Sequence, residues 1–416
     1  MQTGETVHRR ASLIAVLLVL SAFMSGCVVV ALLLFPDQRV ESIDLGPAEL
    51  IDQAESAFLL AVRNLNKDPV AAAHALYQKV FAPLVPRLGA ARKLYLSPDA
   101  SLNLIPFAAL HDGKRYLLDA PYQIMYLSSG RDLLRGSLGQ AAEPPFVLAD
   151  PDYGLAAVAA ATPERARTMD SKTRSLYEGL GGLTPLAGAR SEGTLLGSLL
   201  GSRPLLGAEA TEASVRQVRA PALLHIATHG LFLGDPGVGE GRSSLLKLGR
   251  PQPAAMDQIL GRSKDHSLSR AAVVLAGAAH AAEAPDVSVD GLLTAEEARS
   301  LNLFGTQLAV LSACDTGRGS VKAGQGVYGM RRAFFVAGAE TVVMSLWPVS
   351  DPGTQSLMER YYRLLLDKRT PRGRVSALSE AMKGVKTERP HPYYWAPFVA
   401  IGRDAPLALP AQAPRP

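Results

Sequence analysis

Apolar residues fall along this chain in two rhythms. Over residues 41–88 they recur at helical spacing. PAELIDQAESAFLLAVRNL and PVAAAHALYQKVFAPLV each place apolar positions three and four apart, with Pro47 and Pro69 near the starts, where proline is pre-organised for a first helical turn. From Arg92 onward, short apolar runs alternate with helical ones. KLYLS (93–97), YQIMYLS (122–128), PFVLAD (145–150), LLHIAT (223–228), AVVLAG (272–277), LAVLSA (308–313), TVVMSL (341–346) and FVAIG (398–402) read as strands. Several are continuously apolar rather than alternating, the mark of strands buried on both faces of a parallel sheet. SEGTLLGSLLG, TEASVRQVR, TAEEARSLN, GQGVYGMRRAFFVAG and GTQSLMERYYRLLLD lie between them as helices. This alternation predicts an α/β sandwich with a mostly parallel central sheet and right-handed crossovers.

The longest apolar run breaks both rhythms. Ala11–Phe35, ASLIAVLLVLSAFMSGCVVVALLLF, holds 25 residues without a charge. A bilayer core takes about 20 apolar residues as a helix, so the run predicts a transmembrane helix or signal anchor. His8, Arg9 and Arg10 precede it, and Asp37, Arg39, Glu41 and Asp44 follow. That charge bias puts residues 1–10 in the cytoplasm and the bulk of the chain on the outer side of the membrane. A cleaved signal peptide has a shorter apolar region, about 7–15 residues. Met24-Ser25-Gly26-Cys27 resembles a bacterial lipobox, with Cys27 then lipidated, but apolar residues continue past it. A third option is a cysteine that merely fills space in a helix. The remaining layout is a helical lead-in over 41–75, a large unit over 76–403 and a disordered tail over 404–416. Gly234–Asp265 and Ala278–Asp290 read as loops. Helix 47–65 and the loop 234–265 are candidate regulatory parts.

Composition narrows the function classes. Of 416 residues, 48% are hydrophobic and 19% charged, which excludes a disordered or collagen-like chain. Two cysteines, Cys27 and Cys314, exclude a disulfide scaffold and a multi-cysteine zinc site. A net charge of +5 with no dense Lys/Arg block gives no footprint for nucleic acid. No metal or cofactor is called for. The G-x-x-x-x-G-K-[ST] phosphate loop does not occur, and no G-x-G-x-x-G follows a strand.

Two strand ends carry reactive residues. LLHIATHG ends at His229-Gly230, and LAVLSACDTG ends at Cys314, Asp315, Thr316 and Gly317. In open α/β sheets, ligands bind at the carboxyl ends of strands. A lone Cys with a distant His is the pattern of a thiol nucleophile and its general base. The imidazole is needed to make the thiolate and later to protonate a leaving amine. His225 and His229 are four apart, but on a strand that separates them by about 13 Å, too far to share one metal. His229 stands at the strand end and is the functional candidate. His225 is a hydrogen-bonded core histidine.

At this point the chain resembles a CHAT domain, the caspase-like cysteine peptidase family often found beside tetratricopeptide repeats. The resemblance rests on LYLSPDASLNLIPFAALHDG (94–113), PLAGARSEGTLLGSLL (185–200), LLGAEATEASV (205–215), HIATHG (225–230), LSACDTGRG (311–319), GVYGMRRAFFVAGAETVVMSLWPVSD (326–351) and HPYYWAPFVAIG (391–402). It runs from Leu76 to Gly402. Residues 41–75 are too short for a tetratricopeptide array at about 34 residues per repeat. The resemblance implies a caspase-like three-layer α/β/α sandwich and a cysteine endopeptidase acting on a protein or peptide substrate. It implies His229 as base, Cys314 as nucleophile, and the backbone N–H groups of Gly230 and Cys314 as oxyanion hole, with no third triad member evident. The activating partner is not identified by the sequence.

Other residues carry weaker signals. Asp315 is a candidate substrate contact, or a turn residue bonding its own backbone. Trp347 is a candidate wall of the substrate cleft, or core. Ser312 stands two before the cysteine, where metacaspases carry an Asp that binds a basic side chain, and so argues against cleavage after Lys or Arg. Arg331 and Arg332 read as a solvated helix face, Trp395 as core, and Asp351 as the cap of the following helix. The alternative to an enzyme is a catalytically silent module that serves as a protein-binding or signalling platform.

Overall fold

The computed structural model describes residues 13–21, 28–155, 183–232, 271–283, 289–315, 324–347 and 351–409. Among the described residues, thirteen strands form one mixed sheet. β1 is Leu13–Ser21, β2 Val28–Leu34, β3 Val40–Pro47, β4 Lys93–Ser97, β5 Gln123–Tyr126, β6 Phe146–Pro151 and β7 Leu205–Gly207. β8 is Leu223–Phe232, β9 Ala271–Val274, β10 Leu292–Thr294, β11 Leu308–Asp315, β12 Thr341–Ser345 and β13 Phe398–Gly402. The spatial order is β10-β9-β8-β11-β12-β13-β5-β4-β1-β2-β3, with β6 joining β8 and β7 joining β6.

The sheet is parallel in two blocks that run in opposite directions. β7, β6, β8, β11 and β12 form one, and β13, β5, β4 and β1 the other; β12 and β13 meet antiparallel. β9, β10, β2 and β3 add antiparallel margins. The mostly parallel sheet expected from the sequence is found among the described residues, with antiparallel pairs where the two blocks meet and at the margins. Every residue of β9, β12 and β13 is buried, as their continuous apolar sequences imply.

Helices complete the α/β architecture. α1 (Ala48–Val62) and α2 (Val70–Val80) pack on each other and on β3. α3 (Ala187–Leu200), α4 (Gly324–Val336), α5 (Asp351–Leu365) and α6 (Arg374–Glu388) follow. α3 packs on α5 and α5 on α6, while α4 packs on β12 and β9. The lead-in helices share one apolar core with the sheet, since Phe58, Leu59, Leu76 and Val80 join the cluster that holds Leu311, Val343 and Ile401. Arg63, just past α1, donates to the carbonyl of Leu346 at 3.1 Å.

The apolar run near the N-terminus is a correction. Where a membrane helix over 11–35 was expected, β1 and β2 lie antiparallel and β1 pairs on its other side with β4. β2 alternates, with Val29, Ala31 and Leu33 buried and Leu34 44% exposed. Its Val-rich sequence suits a strand, and length alone misread two strands as one span. No helix among the described residues is long and apolar enough to cross a membrane. Residues 41–47, within the stretch read as helical, lie in β3. The tail is also tied down as far as it is described: Asp404 Oδ1 accepts from the N–H groups of Val375 and Ser376 at 3.0 and 3.1 Å, and Gln307 Oε1 accepts from Ala408 N at 2.8 Å. Cys27 and the loop 234–265 lie outside the described residues.

Candidate active site

Two neighbouring strands bring the predicted pair together. β8 and β11 run parallel from Leu223 against Leu308 to Gly230 against Asp315, and this register sets His229 beside Cys314. Neighbouring strands lie about 4.8 Å apart. Hydrophobic sequence drives both strands into the sheet centre, so the reactive residues arrive at the same carboxyl end. Cys314 and Asp315 close β11, and the loop that carries Gly317 and Gly319 lies outside the described residues.

His229 is fixed by its surroundings. It is 7% exposed, and its ring packs on Tyr153 with centroids 5.2 Å apart. The Tyr153 hydroxyl meets Thr228 Oγ1 at 3.0 Å, and Thr228 donates to the Val274 carbonyl. His229 Nε2 lies 2.8 Å from the carbonyl oxygen of Thr184. A carbonyl only accepts, so Nε2 carries the proton in that bond. The neutral imidazole then holds its lone pair on Nδ1, the tautomer a general base needs. Sequence reasoning found no third member for the dyad. The structure supplies an orienting group in a backbone carbonyl, which no side-chain pattern announces.

β8 runs on past the expected strand end to Phe232, so Gly230 sits within the ladder, paired with Asp315 on one side and Val273 on the other. Trp347 is fully buried, and its indole N–H donates to the Tyr393 carbonyl at 3.3 Å. That is core packing in place of a cleft wall. Trp395 is core as expected, fully buried and donating to the Pro390 carbonyl. Arg331 corrects the expectation of a solvated face: it is 3% exposed and its guanidinium donates to Asn103 Oδ1.

Behind the pair lies a buried polar group that the sequence did not announce. His225 is fully buried, with Nδ1 2.9 Å from the Tyr362 hydroxyl. Its Nε2 stands 3.1 Å from Glu192 Oε1, close in distance but without hydrogen-bond alignment. Ser312 donates to Glu192 Oε2 at 3.2 Å. Burial pushes the Tyr362 hydroxyl well above its ordinary range, with Tyr361 and Glu192 adding to the shift, so it stays protonated. Among the described residues, no three His, Cys, Asp or Glu side chains are arranged to hold a metal. A cavity of about 360 Å³ lies elsewhere, between β5, β13 and α6, lined by Tyr122, Ile124, Val375, Met382, Lys383 and Phe398 among others.

The CHAT domain family model matches residues 70–403, a span that contains β8, β11 and Thr184. This chain belongs to the CHAT domain family. It is similar to tetratricopeptide repeat protein 28 of Homo sapiens, 29% identical over 357 residues, which is 81% of this chain and 13% of that protein. The Mus musculus protein of the same name is 27% identical over 394 residues, 90% of this chain and 15% of its own length. The CHAT chain thus spans a small part of the curated relatives it matches. Among solved structures, the Saccharomyces cerevisiae separase-securin complex overlaps 88% of this chain and 21% of that one, at 12% identity and a TM-score of 0.40. The Arg specific cysteine proteinase gingipain R overlaps 86% of this chain and 76% of its own, at 8% identity and a TM-score of 0.40. At that level the overlap carries no argument about the site.

Proposed function

We propose that this CHAT domain is a cysteine endopeptidase that cleaves a protein or peptide substrate through Cys314 and His229. The observation that carries the reading is the strand register pairing those two residues, with the Thr184 carbonyl holding the histidine tautomer. Nδ1 of His229 takes the thiol proton, and the thiolate attacks the scissile carbonyl. The tetrahedral oxyanion is met by backbone N–H groups of Gly230 and Cys314, where losing one such donor typically costs about 2.7–4 kcal/mol. The imidazolium, its second N–H still bound to Thr184, protonates the leaving amine. Water then hydrolyses the thioester with His229 again as base.

A peptide-library cleavage profile of the protein tests the reading. Wild type cleaves, whereas Cys314→Ala and His229→Ala do not, with unchanged circular dichroism in both. Equal cleavage by either variant overturns the dyad. A wild-type protein that is folded, inert to every peptide and unlabelled by a thiol-directed activity probe leaves the domain as a binding platform.

A further inference from the structure

We infer that Glu192 is a positioning residue that locks β8 and β11 in the register aligning His229 with Cys314; the inference rests on the dyad reading above. The single carboxylate of Glu192 reaches both strands. Oε1 lies 3.1 Å from Nε2 of His225 in β8, and Oε2 accepts from Ser312 in β11 at 3.2 Å. His225 precedes His229 by four residues and Ser312 precedes Cys314 by two. The strand period of two puts positions 225 and 229 on one face of the sheet, and likewise positions 312 and 314. Glu192 therefore bridges the two strands on the face, and within a few residues of the end, where the chemistry is placed.

Burial makes the bridge stiff. Glu192 is 3% exposed, Ser312 5%, and His225 and Tyr362 are fully buried. The Ser312 bond is made in a buried site, where an unmet polar group carries its desolvation cost, while Oε1 of Glu192 and Nε2 of His225 approach each other there without hydrogen-bond alignment. Tyr362 of α5 holds the other nitrogen of His225 at 2.9 Å, so α3, α5 and both strands meet at one point. The helix that carries Glu192 is pressed onto the sheet through its neighbour: a Cβ on Gly193 would stand 2.6 Å from Cβ of Ala149 in β6. Arg190 adds a second tie, with Nε 2.7 Å from Asp150 Oδ2. A one-residue slip between strands moves every side chain to the other face. A misplacement of 1 Å can cost as much as about 10²-fold in rate.

The test is the second-order rate of Cys314 alkylation by iodoacetamide at pH 7, measured on the full chain after Cys27→Ser. It is run for Glu192→Gln, Ser312→Ala, His229→Ala and the double variant Glu192→Gln/His229→Ala. Val62→Ala, at the buried C-terminal end of α1, serves as a control matched for loss of thermal stability. Glu192→Gln is expected to slow alkylation by about 10²-fold and Ser312→Ala by less, with Val62→Ala at the wild-type rate. In the His229→Ala background, Glu192→Gln should add nothing, because the dyad it aligns is gone. Additive effects, or a rate that falls only as much as in the control, overturn the positioning role. If His229→Ala itself leaves the wild-type rate unchanged, the dyad reading fails and the positioning role with it. If His229→Ala slows alkylation while Glu192→Gln and Ser312→Ala do not, the positioning role fails alone.

Discussion

Glu55 offers the sharpest quantitative test of the packing. It occupies the buried stripe of α1, in line with Ile51, Phe58 and Val62, and is 1% exposed. Among the described residues, neither carboxylate oxygen accepts a well-aligned hydrogen bond. The nearby Ser101 hydroxyl, which donates to Asp52 at 3.3 Å, offsets only part of the burial, and Asp52 adds to it. Desolvation therefore pushes the Glu55 carboxyl from 4.5 to about 7. At about 1.4 kcal/mol per pH unit, that rise is worth about 3 kcal/mol. A raised carboxyl binds its proton more tightly when folded, so the contribution is fully present below pH 4.5 and is lost as pH rises through about 7. Glu55→Gln mimics the neutral acid at every pH. Urea denaturation at pH 4.5, 6, 7 and 8, followed by tryptophan fluorescence and circular dichroism together, measures the difference between the two proteins. The variant should gain on wild type as pH rises, to about 3 kcal/mol more at pH 8 than at pH 4.5. A difference that stays flat with pH refutes the burial argument, because it means Glu55 titrates as a solvated acid.

Three further outcomes follow from the same contacts. Leu33→Ala should cost about 2–5 kcal/mol and the neighbouring Leu34→Ala less than about 0.5 kcal/mol, because Leu33 is buried and Leu34 is 44% exposed; equal urea midpoints for the two would refute the strand. Arg374→Met should cost about 3–5 kcal/mol at pH 7, since the guanidinium meets Glu340 at 2.9 Å with both side chains buried. The Glu340 carboxyl is held below its ordinary range: burial works to raise it, and the bonds from Arg374, Leu138 and Ser137 outweigh that. Its contribution is present above the unfolded value and lost as pH falls through the folded one, so the Arg374→Met cost should shrink below pH 4.5 in the same assay. Gly193→Ala should cost about 1–3 kcal/mol by overpacking α3 on β6, read as a lower thermal midpoint; an unchanged midpoint would refute the tight contact.

Much of the fold is legible in residues 92–402. KLYLS and FVAIG form strands with the bounds their sequences suggest, and six other apolar runs match within a few residues, because a strand buried on both faces needs continuous apolar sequence and little else does. Where periodicity is silent, the reading failed. β3 is exposed at every second position and carries charges, so its residues looked like the lead-in to a helix. Helix α6 has a weak apolar face and was not anticipated. In the apolar run before Pro36, length outweighed the Val-rich composition that favours strands.

The sequence by itself determined the chemistry available: one cysteine at the end of a buried strand, one histidine at the end of another, and the motifs of the CHAT family around both. It also determined that His225 would be buried, since apolar residues surround it. Tertiary structure decided which groups meet. Register between β8 and β11 sets Cys314 beside His229, and register depends on the pairing of segments far apart in the chain. The Thr184 carbonyl that orients His229 is a backbone atom, identical in every residue, so no residue type marks it. Glu192 reads in sequence as an ordinary helix carboxylate. Only the approach of α3 to the sheet, which Gly193 permits, buries it between two strands, where it accepts from Ser312 with His225 within 3.1 Å.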